Sequence, residues 1–220
     1  EHRLDAGNLA TQRVARRAFV TIGIDLGLTT FATFSTGETI ERKRWMKRDE
    51  KDLKRIQRRI SKLHKGTPER SKAILALNHV YTRIKNRRNN FAHQESRKLV
   101  NRFGLIVFED LDIAGMQTDG NKVINKGITD VAWGMMLNFS QYKAADAGRG
   151  YLKIYPRGTT QDCSGCGEIV PKGLSVRVHH CPNCGLKIGR DLNAAINILR
   201  RGLASVGNQS VEAPLFQRGE

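Results

Sequence analysis

Two cysteine pairs, Cys163-Ser-Gly-Cys166 and Cys181-Pro-Asn-Cys184, are followed by the segment Arg190-Asp191-Leu-Asn-Ala-Ala-Ile-Asn-Ile198, and together they are the most informative part of the sequence. All four cysteines of the chain lie in it, and fourteen residues separate the two pairs. A tetrahedral Zn²⁺ takes four thiolates, and the glycine after each pair suits the tight turn of a zinc knuckle. The stretch therefore predicts a structural zinc site with these ligands: Cys163, Cys166, Cys181 and Cys184.

Other uses of the four cysteines fit the sequence less well. Disulfides need an oxidising compartment, and we expect no secretory signal because the charged N-terminal segment has no apolar run. A redox motif needs one Cys-x-x-Cys pair, whereas this chain has two. His179 or His180 could replace a thiolate, but four thiolates already complete the site. A closed four-thiolate site has no open coordination position, so we expect this metal to hold structure and to do no chemistry.

The charge of the chain points to a nucleic-acid partner. The 220 residues carry a net charge of +17, and residues 41–102 hold 21 lysines and arginines against 6 acids, an excess of 15. Apolar spacing in that block predicts two helices, about 49–64 and 71–102, which form a basic hairpin able to follow a phosphate backbone. A run of basic residues is usually only a solvated helix face, but an excess this large in one block is more readily explained by a phosphate-backbone partner. The predicted nucleic-acid contacts are Arg55, Arg58, Arg59, Lys62, Arg87 and Arg88. No apolar run is long enough to span a membrane, so no membrane partner is expected.

Three acidic residues stand at the ends of predicted elements. The apolar segment 19–24 predicts a strand that ends at Asp25, and segments 29–35 and 38–42 predict a hairpin beside it. Residues 105–108 predict a strand buried on both faces, followed by Glu109. After a helix over about 130–147 and a strand over 151–155, the last helix opens at Asp191. We expect the three carboxylates to meet at one edge of the sheet.

Each acid also has a simpler interpretation. Glu109 could be a solvated loop residue, and Asp191 could cap its helix or complement the helix dipole. The set of three favours a site, because carboxylates that meet near one point repel each other unless divalent cations lie between them. Two Mg²⁺ ions in such a site could activate water and stabilise the leaving oxygen in phosphodiester hydrolysis.

The acid-bearing segments resemble the three RuvC motifs of the TnpB family, also called OrfB-type insertion-sequence transposases. These segments are Gly23-Ile-Asp25-Leu-Gly27, Val107-Phe-Glu109-Asp-Leu111 and Arg190–Ile198. The segments Thr159-Thr-Gln-Asp-Cys163 and Cys181-Pro-Asn-Cys184-Gly resemble the zinc-finger insert of that family, and the likeness runs from about residue 19 to about 202. It implies an α/β, RNase H-like (RuvC) mixed sheet flanked by helices, with an inserted four-Cys zinc ribbon.

The resemblance also implies a function, RNA-guided cleavage of double-stranded DNA, as in the ancestors of type V CRISPR effectors. Its catalytic residues would be Asp25, Glu109 and Asp191, which would bind Mg²⁺ or Mn²⁺, while zinc would be structural. DNA and a guide RNA would be the partners, in a cytoplasmic, nucleoid-associated protein. One departure is Gly189, where the family commonly has Asp.

The domain organisation follows from the same likeness. Residues 1–18 are interpreted as a linker or the remnant of missing N-terminal domains, which a separate chain or domain would supply. The expected RuvC core covers 19–158 and includes the basic hairpin of about 49–102. The zinc ribbon covers 159–188, the last RuvC helix 189–202, and a flexible tail 203–220.

The resulting hypothesis is a Mg²⁺-dependent RuvC-type DNA endonuclease, the catalytic half of an RNA-guided transposon-encoded nuclease that uses two-metal catalysis. The alternative is a truncated, non-catalytic nucleic-acid-binding zinc protein, or a transposase accessory protein.

Overall fold

A five-stranded mixed sheet forms the centre of the protein. The computed structural model describes residues 20–113, 115, 132–173 and 175–207. The strands of the sheet are β1 (Thr21–Leu26), β2 (Ala32–Phe34), β3 (Thr39–Ile40), β4 (Leu105–Glu109) and β5 (Gly150–Ile154). Their order is β3-β2-β1-β4-β5, with β1, β4 and β5 parallel and with β2 antiparallel to both of its neighbours. The predicted antiparallel start and the predicted buried strand before Glu109 are therefore confirmed.

Four helices are described, and they cover both faces of the sheet. They are α1 (Trp45–Lys62), α2 (Pro68–Arg102), α3 (Trp133–Asp146) and α4 (Arg190–Gly207). Ile22 and Ile24 of β1 point to one face, where they pack with Leu99 of α2 and Met136 of α3. On the other face, Val107 of β4 packs against Ile198 of α4. This layering confirms the predicted α/β sheet flanked by helices.

The first two helices form the predicted basic hairpin. Leu53 of α1 packs against Val80 and Ile84 of α2. The chain turns at Gly66, which has a φ of 86°, and Thr67 then caps α2 by accepting a hydrogen bond from the Arg70 backbone N–H. Both helices begin earlier than predicted, α1 because Trp45 and Met46 join the same apolar cluster and α2 because Pro68 fits the first helical position.

The other two helices correct the sequence predictions. The prediction that residues 203–220 form a flexible tail is wrong for 203–207, which belong to α4. Gly202 does not end that helix but lies buried within it, since a β-carbon there would stand 2.6 Å from the Val107 side chain. For α3, the predicted start at Asp130 lies outside the described residues. In α3, Tyr142 is exposed although it is aromatic, while the charged Lys143 is buried and donates from Nζ to Ser96 Oγ and the His93 carbonyl oxygen.

A small cysteine-rich module lies between β5 and α4. Its two-stranded sheet consists of β6 (Val178–His180) and β7 (Lys187–Gly189), which pair antiparallel. The chain passes directly from β7 into α4, so the module is an insertion between the last strand of the main sheet and the last helix. Among the helices of the described residues, none combines the length and the apolar character that a membrane span requires.

Candidate metal centres

Asp25 lies in β1, on the face of the sheet that α4 covers. Side chains alternate along a strand, so Gly23 and Asp25 share that face while Ile22 and Ile24 point to the opposite one. The close contact between Gly23 and the backbone of α4 agrees with this assignment. The Asp25 side chain is 8% exposed, which makes it a buried carboxylate at the carboxyl end of the strand.

Glu109 stands beside Asp25 because of the register between two parallel strands. Ile24 of β1 pairs with Phe108 of β4, so the next residues, Asp25 and Glu109, lie side by side at the carboxyl ends of the two strands. Glu109 is also 8% exposed, and one of its oxygens, Oε1, accepts a hydrogen bond from the Thr159 hydroxyl. It is therefore a buried, oriented carboxylate, and the interpretation of Glu109 as a solvated loop acid is wrong.

Asp191 reaches the same edge from the first turn of α4. Its side chain is 27% exposed, and Oδ1 accepts hydrogen bonds from Nη2 and Nε of Arg190 at 3.1 and 3.2 Å. An acid in a first helical turn is favoured by the helix dipole, which accounts for part of this placement. The neighbouring Gly189 has open space where a side chain would stand, so this backbone would accept the Asp that the family commonly has there.

The charges of Glu109 and Asp191 both act on the buried carboxyl group of Asp25. Burial and the charges of Glu109 and Asp191 together raise the pKa of Asp25 from 3.8 to about 8, and Arg190 offsets part of the shift. Burial also raises the pKa of Glu109, against lowering contributions from Thr159 and Arg201. Buried carboxylates that resist ionisation together are hard oxygen donors for a divalent cation, whose charge would remove the repulsion. Mg²⁺ or Mn²⁺ therefore fits this donor set.

The four cysteines form a second and tighter group. Their sulfur atoms all lie within 4.8 Å of one another, and among the described residues this is the one group of three or more potential ligands that meets this limit. Cys163 Sγ is 3.6 Å from Cys184 Sγ, and Cys166 Sγ is 3.6 Å from Cys181 Sγ. The Glu168 backbone N–H, with Asn183 and the neighbouring cysteines, lowers the pKa of Cys166 to about 7, which favours the thiolate that a metal binds. The other cysteines raise the pKa of Cys184, so one thiol of the metal-free group keeps its proton more readily. The arrangement can hold a metal such as zinc.

The turns around the cysteines have the knuckle geometry that the sequence predicts. Gly167 and Gly185 have φ values of 85° and 74°, a region that side chains disfavour. Each donates its backbone N–H to the carbonyl oxygen of the first cysteine of its pair, at 2.8 Å to Cys163 and 3.0 Å to Cys181. Next to the site, His180 is exposed, whereas His179 is fully buried and contacts Lys172.

The predicted nucleic-acid contacts divide into two groups. Arg55, Arg58, Arg59 and Lys62 lie with Lys51 and Lys54 along one side of α1, around a shallow concavity of about 570 Å³. We call these six residues the α1 basic face. Arg87 and Arg88 lie on α2 instead, in two separate depressions. Arg87 donates to Asp49 Oδ2 at 2.6 Å, so it joins the two helices of the hairpin.

Sequence reasoning missed Thr159, which contacts Glu109, and the two buried asparagines of α4 that contact the backbone of Thr159. The sequence predicted no role for Thr159. It also predicted none for Asn193 and Asn197, which are both buried in α4. A signal for the pair was present, since two asparagines four residues apart occur on a helix face that also carries Ala194 and Ile198. Polar residues at buried positions of a helix need hydrogen-bond partners, so two asparagines on an apolar helix face indicate that another segment packs there and bonds to them.

Comparison with known proteins supports the assignment of the fold and the family. The model of the OrfB_IS605 family, described as "Probable transposase", matches residues 10–119, half of the chain. A second model, "Cas12f1-like, TNB domain", matches residues 133–198. In solved structures, the chain resembles a subunit in the "Cryo-EM structure of the Cas12f1-sgRNA-target DNA complex", with a TM-score of 0.53 and 18% identity over 82% of this chain and 50% of that one. This likeness supports the RNase H-like (RuvC) fold.

Curated relatives agree with the family models. A "Putative RNA-guided DNA endonuclease" of Streptomyces pristinaespiralis is 37% identical over 188 residues, which are 84% of this chain and 46% of the relative. The "Putative RNA-guided DNA endonuclease InsQ" of Escherichia coli (strain K12) is 28% identical over 83% of this chain and 49% of its own length. The chain thus spans about half the length of these curated relatives. It belongs to the TnpB family, the OrfB-type proteins of IS605 insertion sequences.

Proposed function

We propose that this chain carries the nuclease centre of an RNA-guided, transposon-encoded DNA endonuclease and hydrolyses phosphodiester bonds with Mg²⁺ or Mn²⁺. The observation that carries the proposal is the placement of buried Asp25 near both Glu109 and Asp191, whose charges, together with burial, raise the pKa of Asp25 to about 8. If these acids are ionised when the protein acts, their charges need compensation, and a pair of divalent cations would supply it.

The three acids would hold the cations, and the neighbouring groups would prepare the site. Bound cations supply a water molecule of lowered pKa and stabilise the charge on the leaving oxygen. Thr159 orients the Glu109 carboxylate, and Arg190 orients that of Asp191. Arg190 also brings a positive charge to the edge where a phosphodiester anion would bind.

The remaining assignments follow the family. The RuvC core would cover residues 19–158 and the zinc ribbon residues 159–188, with a structural Zn²⁺ on the four cysteines. DNA and a guide RNA would be the partners, because the relatives are named as RNA-guided DNA endonucleases and the Cas12f1 structure is a complex with sgRNA and target DNA. Further protein, in the same or another chain, would supply the part of those relatives that this chain does not match. Such a protein would act on DNA in the cytoplasm, at the nucleoid.

The test uses cation binding and DNA cleavage on the same preparations. We expect Mn²⁺ to bind the protein, as followed by electron paramagnetic resonance, and labelled single-stranded DNA to be cut with Mg²⁺ but not with EDTA. Asp25→Asn and Asp191→Ala should remove both signals without loss of DNA affinity. The matched control is Asp110→Asn, which changes an exposed acid next to Glu109 that pairs with Lys153 at 3.4 Å.

Two results would contradict the proposal. Cleavage that survives Asp25→Asn would place the chemistry elsewhere. DNA binding by a folded protein that neither binds Mn²⁺ nor cuts DNA would favour the non-catalytic, nucleic-acid-binding alternative.

A further inference from the structure

The buried face of α4 carries two asparagines that hold the segment leading into the cysteine module. Asn197 donates from Nδ2 to the carbonyl oxygens of Asp162 at 2.6 Å and Thr159 at 2.9 Å. Asn193 donates to the same two oxygens at 2.8 and 3.5 Å. Its Oδ1 accepts the Ser164 backbone N–H at 2.9 Å. The two side chains thus fix the backbone at both ends of the segment Thr159–Ser164.

A residue of the next helical turn strengthens this attachment. Arg201 donates from Nη2 to Asp162 Oδ2 at 2.6 Å and from Nη1 to the Arg157 carbonyl oxygen at 2.7 Å. The backbone around Thr159 is therefore held from α4 on both sides. A polar row of this kind inside a protein is favourable only when its donors are satisfied, and the two asparagine amides are.

Thr159 connects this attachment to the acids. Its side chain is 2% exposed, its carbonyl oxygen is held by Asn197, and its hydroxyl donates to Glu109 Oε1. The hydroxyl also lies 3.0 Å from the Pro156 carbonyl oxygen, and because it has a single proton to donate, the position of the Thr159 backbone decides whether that proton reaches Glu109. The same helix carries Asp191 in its first turn, and it therefore governs one acid directly and another through Thr159.

We propose that Asn193 and Asn197 are positioning residues, which set the Glu109 carboxylate relative to Asp191 by way of Thr159. The inference rests on the proposed function, because it assigns the correctly placed Glu109 to divalent-cation binding. It also links the two candidate metal centres, since the segment that Asn193 holds includes Cys163, the first ligand of the cysteine group. Without the hydrogen bonds from Asn193 and Asn197, the segment 159–164 that leads into the cysteine module would be more mobile, and the Glu109 carboxylate would be less well oriented.

The decisive variants change Thr159, whose hydroxyl is the last link to the acid. Thr159→Val removes the hydroxyl at nearly constant shape and leaves the backbone attachment in place, whereas Thr159→Ser keeps the hydroxyl. We expect Thr159→Val to bind Mn²⁺ about tenfold more weakly than the wild type, the usual effect of losing a partner of a metal ligand, and Thr159→Ser to bind it about as well as the wild type. A residue that only stabilised the fold would change thermal unfolding and leave the Mn²⁺ affinity of the folded protein unchanged.

Variants of Asn197 test the first link. Asn197→Ala should speed amide hydrogen exchange in the segment 159–164 and weaken Mn²⁺ binding by a similar factor, with the zinc content maintained. Asn86→Ala, which makes the same change at an exposed position of α2, should leave both measurements unchanged. If Asn197→Ala does not fold, Asn193→Ala tests the same link by the same two measurements, while the Thr159 pair tests the step from Thr159 to Glu109.

The outcomes separate this inference from the proposed function. A wild-type protein that binds no Mn²⁺ contradicts the proposed function, and this inference fails with it. If the wild type binds Mn²⁺ and Thr159→Val binds it equally tightly, the positioning role is contradicted while the proposed function stands.

Discussion

Gly23 of β1 lies in direct contact with Ala195 of α4. A β-carbon built on Gly23 would stand 2.3 Å from the Ala195 carbonyl oxygen and 2.5 Å from the Leu199 backbone nitrogen. Both are backbone atoms of a helix, which cannot rotate away as a side chain can. Asp25 is two residues beyond Gly23 on the same face, and Asp191 precedes Ala195 by about one helical turn. This contact therefore sets the separation between the strand and the helix that carry two of the acids.

Gly23→Ala should force α4 away from the sheet. We expect a loss of about 3 kcal/mol in the free energy of unfolding, at the upper end of typical overpacking costs because the clash is with backbone atoms. Urea denaturation measures it. Gly189→Ala is the control, since a β-carbon there meets no atom within 4 Å, and it should leave stability nearly unchanged. Equal stability of the Gly23→Ala variant and the wild type would show that α4 does not pack as described.

Cys181→Ser should release the metal that we assign to the cysteine group. Metal binding and folding are one equilibrium in modules of this kind, so the variant should lose most of its bound zinc and the order of β6 and β7. Elemental analysis gives the zinc content, and hydrogen exchange reports the order of the two strands. Ser175→Ala, an exposed change in the same module, should retain about one zinc per chain. A Cys181→Ser protein that keeps its zinc would exclude the four-thiolate site.

The features that the sequence predicted well depend on local patterns. Four consecutive apolar residues before Glu109 predict a buried strand, and β4 is buried through its last four residues. Asp25 and Glu109 were each predicted to end a strand, and on that basis they were expected to lie close together. The parallel pairing of β1 with β4 places them side by side. The cysteine spacing and its two glycines were equally local, and the four thiols do cluster.

The features that sequence reasoning missed depend on contacts between distant residues. Thr159 reaches Glu109 across 50 positions, and Arg87 reaches Asp49 across 38, so no window of sequence contains either pair. Arg87 was predicted to contact nucleic acid because it is basic, and only the packing of α2 on α1 shows its buried acidic partner. The burial of Lys143 likewise depends on the carbonyl and hydroxyl oxygens that α2 offers to it.

Neutralising part of the α1 basic face should weaken DNA binding in a salt-dependent way. Each phosphate contact contributes close to one unit to the slope of log K against log salt, so changing Arg58, Arg59 and Lys62 to Gln should reduce that slope by about two to three. Binding to a labelled duplex at several salt concentrations measures it. The control changes Lys72, Lys98 and Lys187 to Gln, an equal loss of charge at exposed positions away from α1. Equal slopes for the two triple variants would show that the α1 basic face is only solvated.

The stability of the metal-free acid centre should fall as the pH rises. The folded protein holds a proton on Asp25 up to about pH 8, whereas the unfolded chain releases it near the ordinary pKa of 3.8. Between these values the folded state binds more protons, so this group lowers the free energy of unfolding by up to about 1.4 kcal/mol per pH unit, and the loss levels off above pH 8.

Asp25→Asn removes the ionisable group and should therefore be more stable than the wild type, by a margin that grows from pH 5 to pH 8. Urea denaturation without added Mg²⁺ measures this margin, and Asp110→Asn, at an exposed position, should show none. Stability curves of the wild type and Asp25→Asn that run parallel across this pH range would mean that Asp25 is ionised without a cation, and the main reason to place one beside it would be lost.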